Sequence, residues 1–150
     1  MLSRHQLAQF SRMEQEGADL RVRFRGLTAA HQYFHGPAAL KFLSVSDALD
    51  DGAIEAVFMG VRIRFQMVLI FNDAFEPRGR VICTHCHQTY GPQMQTLLGG
   101  FTFDSEGMTD LENNVDGQPI SLETNAQQIV LTFLERAFAS NREMHQFGAF

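Results

Sequence analysis

The spacing of hydrophobic residues changes several times along the chain, and each change predicts an element. In residues 3–16 ("SRHQLAQFSRMEQE") Leu7, Phe10 and Met13 stand three apart, a narrow apolar stripe on one side of a helix. Ser3 and Gln6 make a capping box, each side chain taking up a backbone N–H that the first turn leaves unpaired, and Leu2 and Leu7 occupy the hydrophobic staple positions. Gly17 supplies the stop. The period then drops to two: in "LRVRFRG" Leu20, Val22 and Phe24 alternate with Arg21, Arg23 and Arg25, as in a half-buried strand, which Gly26 ends. Residues 28–35 read as a short helix stopped by Gly36-Pro37, and "ALKFLSVS" as a second strand followed by a turn in "DALDDG".

The most regular stretch is "AIEAVFMGVRIRFQMVLIF", rich in β-branched and aromatic residues, with Val61, Ile63, Phe65, Met67, Leu69 and Phe71 at strict spacing of two. Gly60-Val61 predicts a tight turn between two strands, with a bulge in one long strand as the alternative. "NDAFEPRG" is a loop into the strand "RVICTHC". Regularity then fades: "GPQMQTLLGG" fits one or two helical turns, "FTF" a short strand, and residues 104–118 a polar, acidic loop. Thr124 with Gln127, or Asn125 with Gln128, caps a final helix through Ser140, whose buried side carries Val130, Phe133, Leu134, Ala137 and Phe138.

Helix first, strands in the middle and helix last describe an α+β protein. The expected architecture is a mainly antiparallel, curved sheet of about five or six strands with an N-terminal and a C-terminal helix packed on one face. Residues 1–150 are read as one domain, with 141–150 as a flexible or partner-docking tail. A hydrophobic fraction of 45% supports a core that needs no metal or disulfide staple. The net charge of −5 argues against nucleic acid and membranes as partners. No apolar run is long enough to span a bilayer, and the amino terminus has an apolar–polar period in place of a signal peptide's continuous one, so a cytoplasmic location is expected.

The only two cysteines, Cys83 and Cys86, lie in "RVICTHCHQTYG", which admits four readings. Cys-x-x-Cys-His resembles the attachment motif of c-type cytochromes, in which two thiols take the haem vinyl groups and the histidine is an axial ligand, a likeness of five residues. For zinc, Cys83 and Cys86 have the spacing of a metal knuckle, His31 and His35 stand four apart on one face of a predicted helix, and His85 and His87 are rival ligands. For redox chemistry, "VICTHC" and "VDGQPI" resemble the strand, Cys-x-x-Cys helix and proline-bearing loop of the thioredoxin family. That resemblance implies Cys83 as exposed nucleophile, Cys86 as resolving thiol and Pro119 opposite them, although Gly91-Pro92 interrupts the helix that should follow the pair. In the fourth reading, the expected one, both thiols are structural: a strand sends them to opposite faces, with Cys83 continuing the Val81 face and His85 and His87 prolonging it.

Arginine forms a second constellation. Arg21, Arg23 and Arg25 share one predicted strand face and Arg62 and Arg64 another, so that adjoining strands would line one side of the sheet with guanidinium groups, a site for phosphate or an acidic partner. The alternative is a solvated face relieved by Glu55 and neighbouring acids. The acidic run from Asp104 lacks an EF-hand's closing glutamate, since Val115 stands there, and no phosphate-binding loop, dinucleotide fingerprint or nucleophile elbow is present. The functional expectation is a small non-enzymatic binding or regulatory module that works through protein–protein contacts or self-association, without a cofactor. The alternatives are a zinc-binding or thiol-redox protein built on Cys83 and Cys86, and a cone-shaped α+β protein holding a small ligand inside its sheet.

Overall fold

Helix α1 (Arg4–Arg25) starts at the predicted capping box, with the Ser3 hydroxyl accepting from the Gln6 N–H at 3.1 Å and the Gln6 carboxamide accepting from the Ser3 N–H at 2.9 Å. The computed structural model describes residues 3–47, 51–87, 94–112 and 117–148, with side chains as far as Ser140. The helix does not stop at Gly17, and the strand expected at residues 20–26 is helical. Two periods coincide there: Leu20, Phe24 and Leu27 stand four and three apart and are all buried, whereas Val22, which a strand would bury beside them, is 68% exposed. Gly17 is a contact point: a Cβ there would lie 2.9 Å from Leu69 Cδ1, so glycine lets the helix lie close against the sheet.

A 3-10 turn (Gly26–Thr28) leads into α2 (Ala29–His35), which ends at Gly36 as expected. Seven strands follow in the order in which they occur, each antiparallel to the next: β1 (Ser44–Ser46), β2 (Ile54–Phe58), β3 (Val61–Phe71), β4 (Pro77–His87), β5 (Met94–Phe103), β6 (Met108–Glu112) and β7 (Pro119–Ser121). Helix α3 (Ala126–Gly148) closes the chain. The sheet curls into half a barrel with α3 packed against its inner face, so the α+β reading and the antiparallel sheet are correct.

The β2–β3 turn falls on Met59 and Gly60, one residue earlier than Gly60-Val61. Both residues have positive φ, 52° and 81°, the two-residue geometry that matches the twist of a hairpin. Strand β1 is shorter than "ALKFLSVS" predicts, because residues 40–43 form a turn. Residues 94–103 make a long strand in place of the expected helical turns, paired with β4 from His87↔Met94 to Gly79↔Phe103 and bulged opposite Cys83 and Thr84. The expected acidic loop contains β6. Its turn is built by Asp104, whose carboxylate accepts from the N–H groups of Glu106 and Met108, both at 3.0 Å. Residues 48–50, 88–93 and 113–116, which include parts of the expected turns and loops, lie outside the described residues.

The core joins Leu20, Phe24, Leu27 and Phe34 from the N-terminal helices to Ile54, Ile63, Phe65, Val81, Phe101 and Phe103 on the sheet and to Ile129, Val130, Phe133 and Ala137 on α3. Phe133 meets Phe65 edge to face at 5.6 Å and lies 6.1 Å from Phe101. Phe138, expected on the buried side of the last helix, is 37% exposed and meets Phe58 edge to face at 6.1 Å. The helix also continues past Ser140 to Gly148, through most of the expected tail. Among the described residues, no helix is long and apolar enough to cross a membrane.

Candidate functional site

Strand β4 is central in the sheet and carries both cysteines. Odd spacing sends them to opposite faces: Cys83 lies in the core between Phe65 and Gly99, and Cys86 on the outer face between Arg62 and Gln95. Burial pushes the Cys83 thiol well above its ordinary range, against a smaller opposing effect of the nearby Arg136 charge, so it is a protonated core side chain. The thioredoxin likeness fails on two counts. The strand continues through both cysteines to His87, leaving no helix N-terminus beside Cys83, and Pro119 opens β7, three strands away.

His85 prolongs the Val81–Cys83 face and is 3% exposed, with its ring 3.9 Å from that of His87. Burial, and then the neighbouring His87, lower its pKa, so His85 is neutral at pH 7, and its Nδ1 is buried without a hydrogen-bond partner among the described residues. His87 Nε2 lies 2.9 Å from the Thr96 hydroxyl. His31 and His35 stack at 4.2 Å on α2, but both are committed to the adjoining chain: the Val45 N–H donates to His31 Nδ1 at 3.1 Å, and His35 Nε2 donates to the Leu43 carbonyl at 2.8 Å. They dock the first edge strand onto α2, whereas Cys83 and Cys86 lie on the fourth strand. The four ligands of the alternative zinc reading are therefore not brought together, and among the described residues no three His, Cys, Asp or Glu side chains converge to hold a metal.

The five arginines do not form one face either, because three of them are helical. Arg23 pairs with Glu123 at 3.4 Å, Arg62 with Glu55 at 3.2 Å, and Arg64 with Asp51. Arg21 and Arg25, one turn apart on α1, border a cleft of only about 70 Å³ beside Asp51, Met67 and Leu69. The expected relief by Glu55 is present, and the guanidinium-lined sheet face is not.

The larger concavity lies where sequence offered no motif. Strand β6 meets β5 at the register position Phe103↔Thr109, so the β6–β7 hairpin is joined to the rest of the sheet by little backbone pairing. Between that hairpin, α3 and the end of α2 runs an open groove of about 890 Å³. Leu111, Ile120, Leu131 and Tyr33 supply its apolar surface, and Asp110, Glu112 and Glu135 stand along it. Asp110 is tied to β5, accepting from the Thr102 N–H and hydroxyl at 2.9 and 3.1 Å. Arg136, the one cation among the described residues that line the groove, is drawn toward the sheet: its guanidinium lies 4.6 Å over the Phe133 ring and donates to the Leu98 carbonyl at 3.1 Å. Two acids, Glu112 and Glu135, have no ion-pair partner among the described residues. The signals that could have found this site are Leu111, an apolar residue inside an acidic run, and Leu131, an apolar residue on the wet side of α3.

No family model, no curated protein and no solved structure matches this chain.

Proposed function

We propose that this protein is a non-enzymatic binding module that takes a basic, amphipathic helical segment of a protein partner into the groove between α3 and the β6–β7 hairpin. The observation that carries the reading is the groove itself, whose described lining sets Leu111, Leu131 and Tyr33 among the carboxylates of Asp110, Glu112 and Glu135, the complement of a helix that shows one apolar and one cationic side. The residue chemistry supports it. Cys83 is a buried protonated thiol, the helix α2 histidines hold backbone, and Phe65, Phe101 and Phe133 fill the described part of the concave sheet face where a small ligand would sit.

A fluorescent basic amphipathic peptide of about fourteen residues tests the proposal by anisotropy. The expected result is saturable binding in the micromolar range that weakens at least about tenfold in Glu112→Lys/Glu135→Lys, a loss of roughly 1.4 kcal/mol or more, and that weakens as salt rises. Binding that is absent, or that the double charge reversal leaves unchanged, contradicts it.

A further inference from the structure

We propose that the occupant of the groove is the first half of α1 from a second copy of this chain, exchanged reciprocally so that each copy fills the other's groove. This inference rests on the groove reading above and names its partner.

The first half of α1 is an unpartnered arm. Of residues 3–12 only Gln9 is even half-buried, and among the described residues the arm is tied to the body by a long hydrogen bond from Arg12 to the Ala74 carbonyl at 3.5 Å. Yet the arm carries Leu7 and Phe10, one turn apart and 54% and 61% exposed. An intact capping box holds it helical, so its apolar pair is presented at fixed spacing before any partner arrives.

Length and charge both match the groove. Residues 3–13 span about 15 Å of helix, and α3 borders the groove from Gln127 to Arg136, about 13 Å at the same rise per residue. Arg4 occupies the first helical position and no acid stands in the first turn, so a cation sits at the end where the helix is already positive. Such a tip is unfavourable alone and is relieved by carboxylates, which Glu112 and Glu135 offer. Residues 3–13 carry Arg4 and Arg12 and no acid, although the whole chain is at −5, so the basic arm and the carboxylates of the groove lie on different parts of one surface. Reciprocal exchange closes after two copies, whereas one-way insertion would continue into a filament.

Sedimentation velocity on the full chain at about 1–200 μM reads the result directly. The expected outcome is a concentration-dependent dimer of twice 16.9 kDa. Leu7→Asp/Phe10→Asp, which changes only exposed side chains, should raise the dimer Kd at least about a hundredfold, while circular dichroism, and the melting curve at concentrations where both chains are monomeric, stay unchanged. Arg4→Glu should weaken the dimer about tenfold, and pairing it with Glu135→Arg should recover most of that loss. A wild-type chain that is monomeric throughout, or a dimer indifferent to the arm and groove variants, overturns the proposal. The labelled basic peptide, titrated into Leu7→Asp/Phe10→Asp, separates the two failures: saturable binding beside a monomeric wild type removes only the second copy as occupant, and no binding removes the groove reading with it.

Discussion

A buried imidazole nitrogen without a partner is costly, and among the described residues His85 Nδ1 has none. The cost is bearable only while the ring is neutral, because a proton would place a charge among Ile63, Cys83 and the second imidazole of His87. The pKa of His85 is lowered in the fold, first by burial and then by His87, so the unfolded chain binds the proton more readily. Stability is therefore complete above the ordinary histidine value near pH 6.5 and declines as pH falls from there toward the lowered folded value. His85→Leu removes that titration. Urea midpoints at about pH 7.5 and 5.5 should show the wild type losing more stability than the variant on acidification, and equal losses would refute the assignment. Cys83, on the same strand face, shows the other half of this chemistry: a thiol that stays protonated behaves as a small apolar side chain, so Cys83 serves as core packing.

Elements were legible where one period stood alone and illegible where two overlapped. The hairpin of β2 and β3 follows from strict alternation on either side of Gly60, and the first helix from the Ser3–Gln6 box. Residues 20–25 satisfied both a strand's alternation and a helix's four-residue spacing, and only Leu27, beyond Gly26, decides between them. Strand β5 was hidden for another reason: Met94, Gln95 and Leu97 are exposed, so pairing with β4 and not burial makes that segment extended. The arginine cluster dissolved with the misread strand, and the groove could not be read at all, since it depends on where the β6–β7 hairpin stands beside α3. Two glycines on these elements make contrasting predictions. A Cβ at Gly79 would run into the Phe103 ring in the core, so Gly79→Ala should cost about 1–3 kcal/mol by overpacking. At Gly17 the obstacle is the flexible end of Leu69, and the helix gains up to about 1 kcal/mol in propensity, so Gly17→Ala should be near neutral. Chemical denaturation of both variants checks the order, and a Gly17→Ala loss as large as that of Gly79→Ala would mean that helix and sheet cannot part at all.

For the molecule as a whole, the sheet's inner residues hold the fold, and the space between α3 and β6–β7 is the place where the proposed partner would sit. An acidic groove and a basic arm on one chain also imply that association weakens with salt, since exposed charges are screened within about 10 Å at 0.1 M. Backbone amide shift mapping of the monomeric Leu7→Asp/Phe10→Asp chain, titrated with the basic amphipathic peptide, tests the central claim most directly. The account predicts that the perturbed amides gather at residues 110–112, at Ile120 and along α3 from Gln127 to Arg136. Shifts centred instead on the outer face of β3 and β4, around Arg62, Arg64 and Cys86, or no shifts at saturating peptide, would contradict it.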